Sequence, residues 1–311
     1  MNIRNWSGHL LMVLATVMWG VLSPIAKEVL EHQIMSGLAL SVVRIGGGTV
    51  LFLAFSLLPK SVTGDCKVER RDYIKLFVAS LLMITLNQGL FIIGIQYTSP
   101  VDTSVMCTMT PVFTLLLAAM FIGQRLTFLK VTGILLGLSG ALIMALNTDT
   151  DEIAPNPLLG NILCILAQLC AAAYYVFFLK IINKYPAFTI MKWLFLFSAL
   201  TYIPAVMPFT GEVVWSGIDT TTLLLLGYIV IFPTFIAYLI IPYAQRMLKP
   251  TVISAYAYLQ PVVSTALASV MGLAIFGWTR IFATILIFMG VYLVSFSVSR
   301  RSAGDVSMVK Q

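Results

Sequence analysis

Arg44 is the one charged residue in the otherwise apolar segment 38–58. A guanidinium at membrane depth costs about 2.5–3.5 kcal/mol, so some partner must offset that cost. Ser41 and Gly48 share its helical face, where small residues let neighbouring helices approach closely. Two interpretations stay open: Arg44 lines a water-filled cavity and binds a substrate carboxylate through two hydrogen bonds, or it is structural and bonds to helix-end carbonyls or to Asp102.

Amide side chains also lie at membrane depth, at Asn87, Gln88 and Gln168. Each must form a hydrogen bond, and interhelical bonds, worth about 0.6 kcal/mol on average, explain many such residues. The alternative is that they line a substrate cavity. In the first apolar segment, Trp19 and Ser23 lie near one face of a helix and are candidates for the same cavity.

A further set of candidates combines aromatic rings with polar groups. Tyr256 and Gln260 are four residues apart and so share one helical face, and Tyr175 lies in an earlier apolar segment. Aromatic side chains with polar ends suit a cavity that binds amphipathic solutes. Since aromatic residues are common in any membrane bundle, a packing role stays open for all three.

Four further residues could titrate within the membrane or bend a helix. Asp102 and Lys27 are candidate coupling groups, although Asp102 also suits a helix cap and Lys27 also suits an extended side chain reaching the headgroups. Pro111 and Pro261 each lie inside an apolar segment and free a backbone carbonyl. They are either paired hinges or static bends.

Other classes of function lack their residues. His9 and His32 are the only histidines, and both lie near segment ends, so a Ser-His or Cys-His pair at depth is not expected. No metal ligand set, cofactor motif or Walker-type glycine loop occurs. The basic residues, which give a net charge of +7, are scattered between apolar runs, so nucleic acid is not an expected partner.

These residues are positioned by a membrane bundle. The chain is 59% hydrophobic and only 10% charged, whereas soluble domains carry about 25% charged residues. A bilayer needs about 20 apolar residues per helix. The sequence predicts an all-α membrane protein with ten transmembrane helices, at 7–29, 35–58, 74–96, 102–122, 128–146, 158–180, 188–208, 220–242, 251–273 and 279–299.

The basic residues fall on one side of the predicted bundle. Sixteen of the 19 Lys and Arg residues lie at the two ends of the chain or after even-numbered helices, whereas the opposite side holds Lys27 and Arg280 and is acidic. Cytoplasmic loops carry the excess of Lys and Arg. Both termini are therefore predicted to be cytoplasmic.

The chain also contains an internal repeat with an offset of 150 residues. The offset superposes Pro100 on Pro250, Ser104 on Ser254, Pro111 on Pro261 and Gly140 on Gly290. Each half holds five helices, and since five is odd, the second half must have inverted topology. Such repeats place a substrate site at their interface. We expect the first to fourth and sixth to ninth helices to surround it, with the fifth and tenth outside.

The motifs in this order resemble the EamA-type transporters of the drug/metabolite transporter superfamily. They are "MWGVLSPIAK" in the first helix, "VVRIGG" in the second, "IQYTSPVDTSVMCTMTPVFTLLLAAMFIGQRLTFLKVTGILLGLSGALIM" from the third to the fifth, and "AQRMLKPTVISAYAYLQPVVSTALASVMG" with "FMGVYLV" as a second copy. The domains are then 1–147 and 158–299, two five-helix repeats joined by a periplasmic linker at 148–157 and followed by a cytoplasmic tail at 300–311. Gln124 departs from the family, which often has Glu there.

The resemblance implies a secondary transporter of small metabolites such as amino acids or drugs. It would be an exporter of the bacterial inner membrane that needs no cofactor, with the bilayer and a small-molecule substrate as partners. A channel, a sensory receptor or an uptake permease remains an alternative. Sequence alone leaves monomer and homodimer open.

Overall fold

A computed structural model describes residues 3–31, 34–98, 103, 106–146, 155–211, 218–270 and 278–308. Regular structure in these ranges is entirely helical. The main helices are α1 (Ile3–Glu31), α2 (Gly37–Phe55), α3 (Asp72–Tyr97), α4 (Met109–Ile122), α5 (Phe128–Leu146), α6 (Pro157–Phe177), α7 (Ala187–Val206), α8 (Thr220–Met247), α9 (Pro250–Ala255, a 3-10 turn at Tyr256–Tyr258, and Leu259–Val270) and α10 (Trp278–Met308).

Six of these helices are long and apolar enough to cross a bilayer, within the part of the chain that was described: α1, α2, α3, α6, α7 and α8. Shorter apolar helices occur at Met109–Ile122, Phe128–Gly140 and Ile281–Val294. The all-helical membrane architecture is thus confirmed. The observed helices begin and end within a few residues of the predicted limits, with three exceptions. Helix α4 begins at Met109 rather than at 102, and α8 and α10 extend further, to Met247 and Met308.

Two helices contain a π-helical turn, at Leu81–Leu86 in α3 and Ile231–Ile236 in α8. Their positions differ by 150 residues. The second turn has a local cause: Pro233 has no N–H to donate to the carbonyl of Ile229, and the Thr234 hydroxyl donates to that carbonyl instead, at 2.8 Å. Such turns shift the phase of the residues that follow and are frequent at functional sites.

Helices α5 and α10 pack directly against each other through glycines. A Cβ on Gly290 would lie 2.6 Å from the carbonyl oxygen of Gly133, and one on Gly133 would lie 2.8 Å from the carbonyl oxygen of Gly290. Further along, a Cβ on Gly140 would lie 2.6 Å from the carbonyl of Ala283. The pairing of 133 with 290 and of 140 with 283 makes the two helices antiparallel.

A charged cluster fastens the start of α3 to the segment that joins α6 and α7. The buried carboxylate of Asp72 accepts hydrogen bonds from Lys184 Nζ at 2.6 Å, Lys75 Nζ at 2.7 Å and Tyr185 Oη at 2.8 Å. Hydrogen bonds to the carboxylates of Asp72 and Glu69 raise the pKa of Lys184. Charge-assisted bonds of this kind are the strong ones, so the cluster fixes the position of this end of the bundle.

Substitution of Asp72 by Ala is expected to lower the Tm of the purified protein in detergent, because two ammonium groups and a phenol lose their shared acceptor. Lys75→Ala is the matched control. The Lys75 side chain is 62% exposed, and exposed ion pairs contribute little. Equal shifts in Tm for the two variants would contradict this role of Asp72.

Candidate functional site

A cavity lies at the centre of the bundle, among helices α1, α2, α3, α6, α8 and α9 and the start of α4. It leaves about 60 Å³ for the centres of water molecules, and since one water needs about 10–15 Å³ by this measure, it has room for several. Its lining residues are Met12, Thr16, Trp19, Leu22, Arg44, Met83, Asn87, Gln88, Phe91, Cys107, Thr110, Gln168, Ala171, Tyr175, Tyr238, Ile253, Ser254, Ala257 and Gln260.

Arg44 lines this cavity and is 2% exposed to the outside of the protein. Its Nε donates a hydrogen bond to the hydroxyl of Thr234 at 3.1 Å. Thr234 lies in the π-helical turn of α8 and donates in turn to Ile229, so the turn holds the arginine in place. Within the described residues, no carboxylate lies within ion-pair distance of Arg44. Asp102, its suggested partner, lies outside the described residues.

Thr234→Val removes the acceptor of Arg44 and the side-chain bond to the freed carbonyl of Ile229. We expect the free energy of unfolding to fall by about 1–3 kcal/mol, because buried polar groups lose their partners. Thermal unfolding in detergent measures the change. Thr201→Val is the control, since the Thr201 hydroxyl bonds only to carbonyls of its own helix, and such bonds add little. A larger loss in the control would contradict the prediction.

Asn87 and Gln88 follow the π-helical turn of α3 directly, and both line the cavity. Both ends of the Asn87 amide are hydrogen-bonded. Its Nδ2 donates to the carbonyl of Ala167 at 2.9 Å, and its Oδ1 accepts from the hydroxyl of Tyr238 at 3.3 Å. Gln88 is 1% exposed, and neither its Oε1 nor its Nε2 has a hydrogen-bond partner. Unpartnered buried amides are rare.

Gln168 belongs to a network around Pro111. The ring of Pro111 leaves the carbonyl of Cys107 without its helical donor, and Thr110 Oγ1 lies 2.8 Å from that carbonyl and 2.8 Å from the Gln168 amide. A hydroxyl has one proton, so Thr110 cannot donate to both groups. With the amide turned, Thr110 donates to the carbonyl and accepts from Gln168, which satisfies both.

Aromatic rings form one wall of the cavity. Trp19 Nε1 donates to the carbonyl of Pro233 at 2.9 Å, and the Trp19 ring meets that of Tyr238 edge-on, with centroids 5.6 Å apart. Tyr238 in turn packs edge-on against Phe195 of α7 at 5.5 Å. Tyr175 lines the cavity from α6. Trp19 is therefore tied to the same π-helical turn as Arg44.

The remaining candidates lie elsewhere. The Tyr256 hydroxyl is 2.6 Å from His9 Nδ1, away from the cavity lining. Ser23 is buried outside the lining. Lys27 Nζ donates to the carbonyl of Thr98 at 3.4 Å. Pro261 is buried in α9, just after the 3-10 turn.

The lining also differs from the expected set of helices. No described residue of α7 is part of it, because α7 packs behind α2: a Cβ on Gly48 would lie 2.5 Å from the ring of Phe195. Trp19, Arg44, Asn87, Gln88, Gln168, Tyr175 and Gln260 are brought together at the cavity.

Comparison with known proteins gives the class of the molecule. The profile of the EamA-like transporter family matches twice, over residues 6–146 and 158–296. The chain belongs to the EamA-like transporter family. This EamA-like protein is similar to an uncharacterized transporter of Archaeoglobus fulgidus, with 22% identity over 94% of this chain and 99% of the relative.

Two other relatives come from other organisms. A WAT1-related protein of Arabidopsis thaliana is 27% identical over 78% of this chain and 74% of its own length. The uncharacterized inner membrane transporter YedA of Escherichia coli K12 is 26% identical over 81% of each chain. A solved crystal structure superposes with a TM-score of 0.75 at 19% identity, covering 94% of this chain and 98% of the other, so it shares the fold.

Sequence reasoning missed Thr110, Tyr238 and Thr234. Two of the three carried a usable signal. Thr110 directly precedes Pro111, and a hydroxyl there can reach the carbonyl that a proline frees. Tyr238 lies 150 residues after Gln88 and so occupies the same place in the repeat. Thr234 matters only through the π-helical turn, which sequence spacing does not reveal.

Proposed function

We propose that this EamA-like protein is a secondary transporter that exports a small organic metabolite across the bacterial inner membrane. Two inverted five-helix halves, 1–147 and 158–299, joined by a periplasmic linker at 148–157, expose the central cavity alternately to each side. Both termini, including the tail at 300–311, are cytoplasmic. The observation that carries the proposal is a cavity with room for several waters at the centre of an apolar bundle, lined by Arg44 and by amide and aromatic side chains.

The duplication is supported by positions 150 residues apart. The two π-helical turns are 150 residues apart, and three pairs of cavity-lining residues are separated by the same number. The pairs are Gln88 with Tyr238, Cys107 with Ala257, and Thr110 with Gln260. Equivalent residues of two repeats line one cavity when the pseudo-two-fold axis passes through or close to it.

The inversion is supported by how the repeats pack. In a contact across a two-fold axis, each pair of touching residues is matched by a second touching pair, which consists of their equivalents in the other repeat. Gly133 meets Gly290, and their equivalents, at 283 and 140, also meet. Since α5 and α10 are antiparallel, the axis relating them is perpendicular to the helices and thus lies in the membrane plane. Similarly, α3 packs on α6 as α8 packs on α1.

The hinges are assigned to Pro111 and Pro261, one in each half. Helix α9 changes to a 3-10 turn at Tyr256–Tyr258, just before Pro261, and α4 begins after a turn at Thr108, just before Pro111. Helices broken near the substrate site are typical of transporters with inverted repeats. Asp102 and Lys27 remain the proposed coupling groups.

The transport function is tested by two linked experiments. An untargeted comparison of metabolites in cells with and without the gene identifies a solute that accumulates when the protein is absent. That solute is then loaded into proteoliposomes, where a transporter exchanges labelled for unlabelled solute across the membrane. Gradient-driven conductance without saturation would point to a channel instead, and the absence of flux for the accumulated solute would contradict the proposal.

Topology is tested separately. Tags at the two ends should both be inaccessible to a protease added to intact cells with permeabilised outer membranes, whereas a protease site inserted at 148–157 should be cut. Ends on opposite faces would contradict the inverted arrangement.

A further inference from the structure

The electrostatic character of the cavity restricts what it can bind. Arg44 is the only charged residue among the described residues of the lining, and no aspartate or glutamate faces it there. We infer that the transported solute carries a carboxylate that binds Arg44, with a neighbouring polar group that binds Gln88. The assignment rests on the proposed transport function and names the chemical class of its substrate.

The first step concerns the guanidinium of Arg44. An arginine has five N–H donors, and its only bond to the described residues uses Nε, so the fork of Nη1 and Nη2 keeps its four donors for a ligand. This fork matches the two oxygens of a carboxylate. A buried cation without a counter-ion is unfavourable, and a bound anion removes that penalty.

The second step concerns Gln88, which lines the same cavity and is almost fully buried. Neither of its amide atoms forms a hydrogen bond in the structure, although the Tyr238 hydroxyl lies close enough to interact with it. Its neighbour Asn87 is bonded at both ends and accepts the hydrogen bond that the Tyr238 hydroxyl donates. A side-chain amide offers donors on one atom and an acceptor on the other. A hydroxyl next to the carboxylate can both donate to and accept from this amide. A 2-hydroxy acid therefore offers a matching group to each of Arg44 and Gln88, which line the same cavity.

The third step concerns the rest of the solute. Most other lining side chains are aliphatic or aromatic, so the remainder of the molecule is apolar; these side chains include Met12, Leu22, Met83, Phe91 and Ile253. An amine cation would lie near Arg44 without a carboxylate to neutralise it, and like charges repel strongly at low dielectric. The cavity therefore selects against cations.

The test compares probes with one apolar body and different head groups: 4-methylpentanoate, 4-methylpentanamide and 4-methylpentylamine, together with 2-hydroxy-4-methylpentanoate. The readout is the Tm of the full chain in detergent over a range of probe concentrations. The carboxylates should raise Tm, the hydroxy acid at the lower concentration, whereas the amide and the amine should not.

Two variants separate the contributions. Arg44→Met should weaken the apparent affinity for both carboxylates by about 10- to 100-fold. Gln88→Leu should abolish the advantage of the hydroxy acid but keep the preference for carboxylates. Asn87→Ala is less suited as a control, because Asn87 also bonds to Ala167 and Tyr238. Ser23→Ala, at a buried position outside the lining, should change neither preference.

Stabilisation by the amine equal to that by the carboxylates would overturn the inference. So would unchanged carboxylate affinity in Arg44→Met, or no carboxylate effect at any concentration. These outcomes differ from failure of the proposed function: carboxylate binding without flux in proteoliposomes overturns transport alone, and flux of a cation independent of Arg44 overturns the head-group assignment alone.

Discussion

Arg44→Met is expected to make the protein more stable and to impair transport. Burial of a charge without a counter-ion is costly, and even buried ion pairs can often be replaced by apolar residues with no loss or with a gain of about 1–4 kcal/mol. The gain here should be at the lower end, since Thr234 loses one of its two hydrogen bonds. Exchange of the physiological solute in proteoliposomes should fall by about 10- to 100-fold, because a charged hydrogen bond to the solute is lost.

Arg44→Lys is the matched variant for this result. A lysine keeps the buried charge but lacks the planar fork, so it should keep the low stability and lose most of the solute affinity. A structural arginine predicts the opposite: Arg44→Met would then lower the Tm. Full exchange activity in Arg44→Met would also contradict a role in solute binding.

Gly290→Ala is expected to destabilise the protein strongly, because the added methyl group would lie 2.6 Å from the carbonyl oxygen of Gly133 and 2.7 Å from the backbone nitrogen of Gly137. Backbone atoms cannot move aside as a flexible side chain can. Overpacking of this kind costs about 1–3 kcal/mol or more. Thermal unfolding in detergent measures the loss, and Gly133→Ala should reproduce it, because the two glycines face each other across the same contact.

Gly227→Ala is the control, since nothing lies within 4 Å of a Cβ at that position of α8. Alanine is favoured over glycine inside a helix by about 0.5–1 kcal/mol, so this variant should be as stable as the parent or more so. Unchanged stability of Gly290→Ala would contradict the close contact of α5 with α10.

Much of this arrangement follows from sequence because the bilayer leaves few alternatives. Apolar runs of about 20 residues must be helical, and the 150-residue offset relates the repeats. Charged and amide side chains at depth must face an interior, which is why Arg44, Gln88 and Gln168 meet at one cavity. Arg44 was expected to need a polar partner, and among the described residues that partner is the hydroxyl of Thr234.

The remaining features depend on helix register, which composition does not reveal. Tyr256 and Gln260 share a face when α9 is a regular helix, but the 3-10 turn at Tyr256–Tyr258 rotates them apart. Gln260 then faces the cavity while Tyr256 meets His9. The π-helical turns have the same effect in α3 and α8. Leu194, equivalent to Arg44 in the second repeat, is buried and apolar, and no described residue of α7 lines the cavity.

The most direct test of the proposed mechanism is the accessibility of the cavity from each side of the membrane. Ala257→Cys places a thiol in the lining, in a background where the four native cysteines are replaced. A membrane-impermeant thiol reagent should label it from either side, in right-side-out and in inverted vesicles, whereas Ala283→Cys, buried between α5 and α10, should not react. Labelling of the Ala257→Cys variant from one side only, under all conditions, would contradict alternating access.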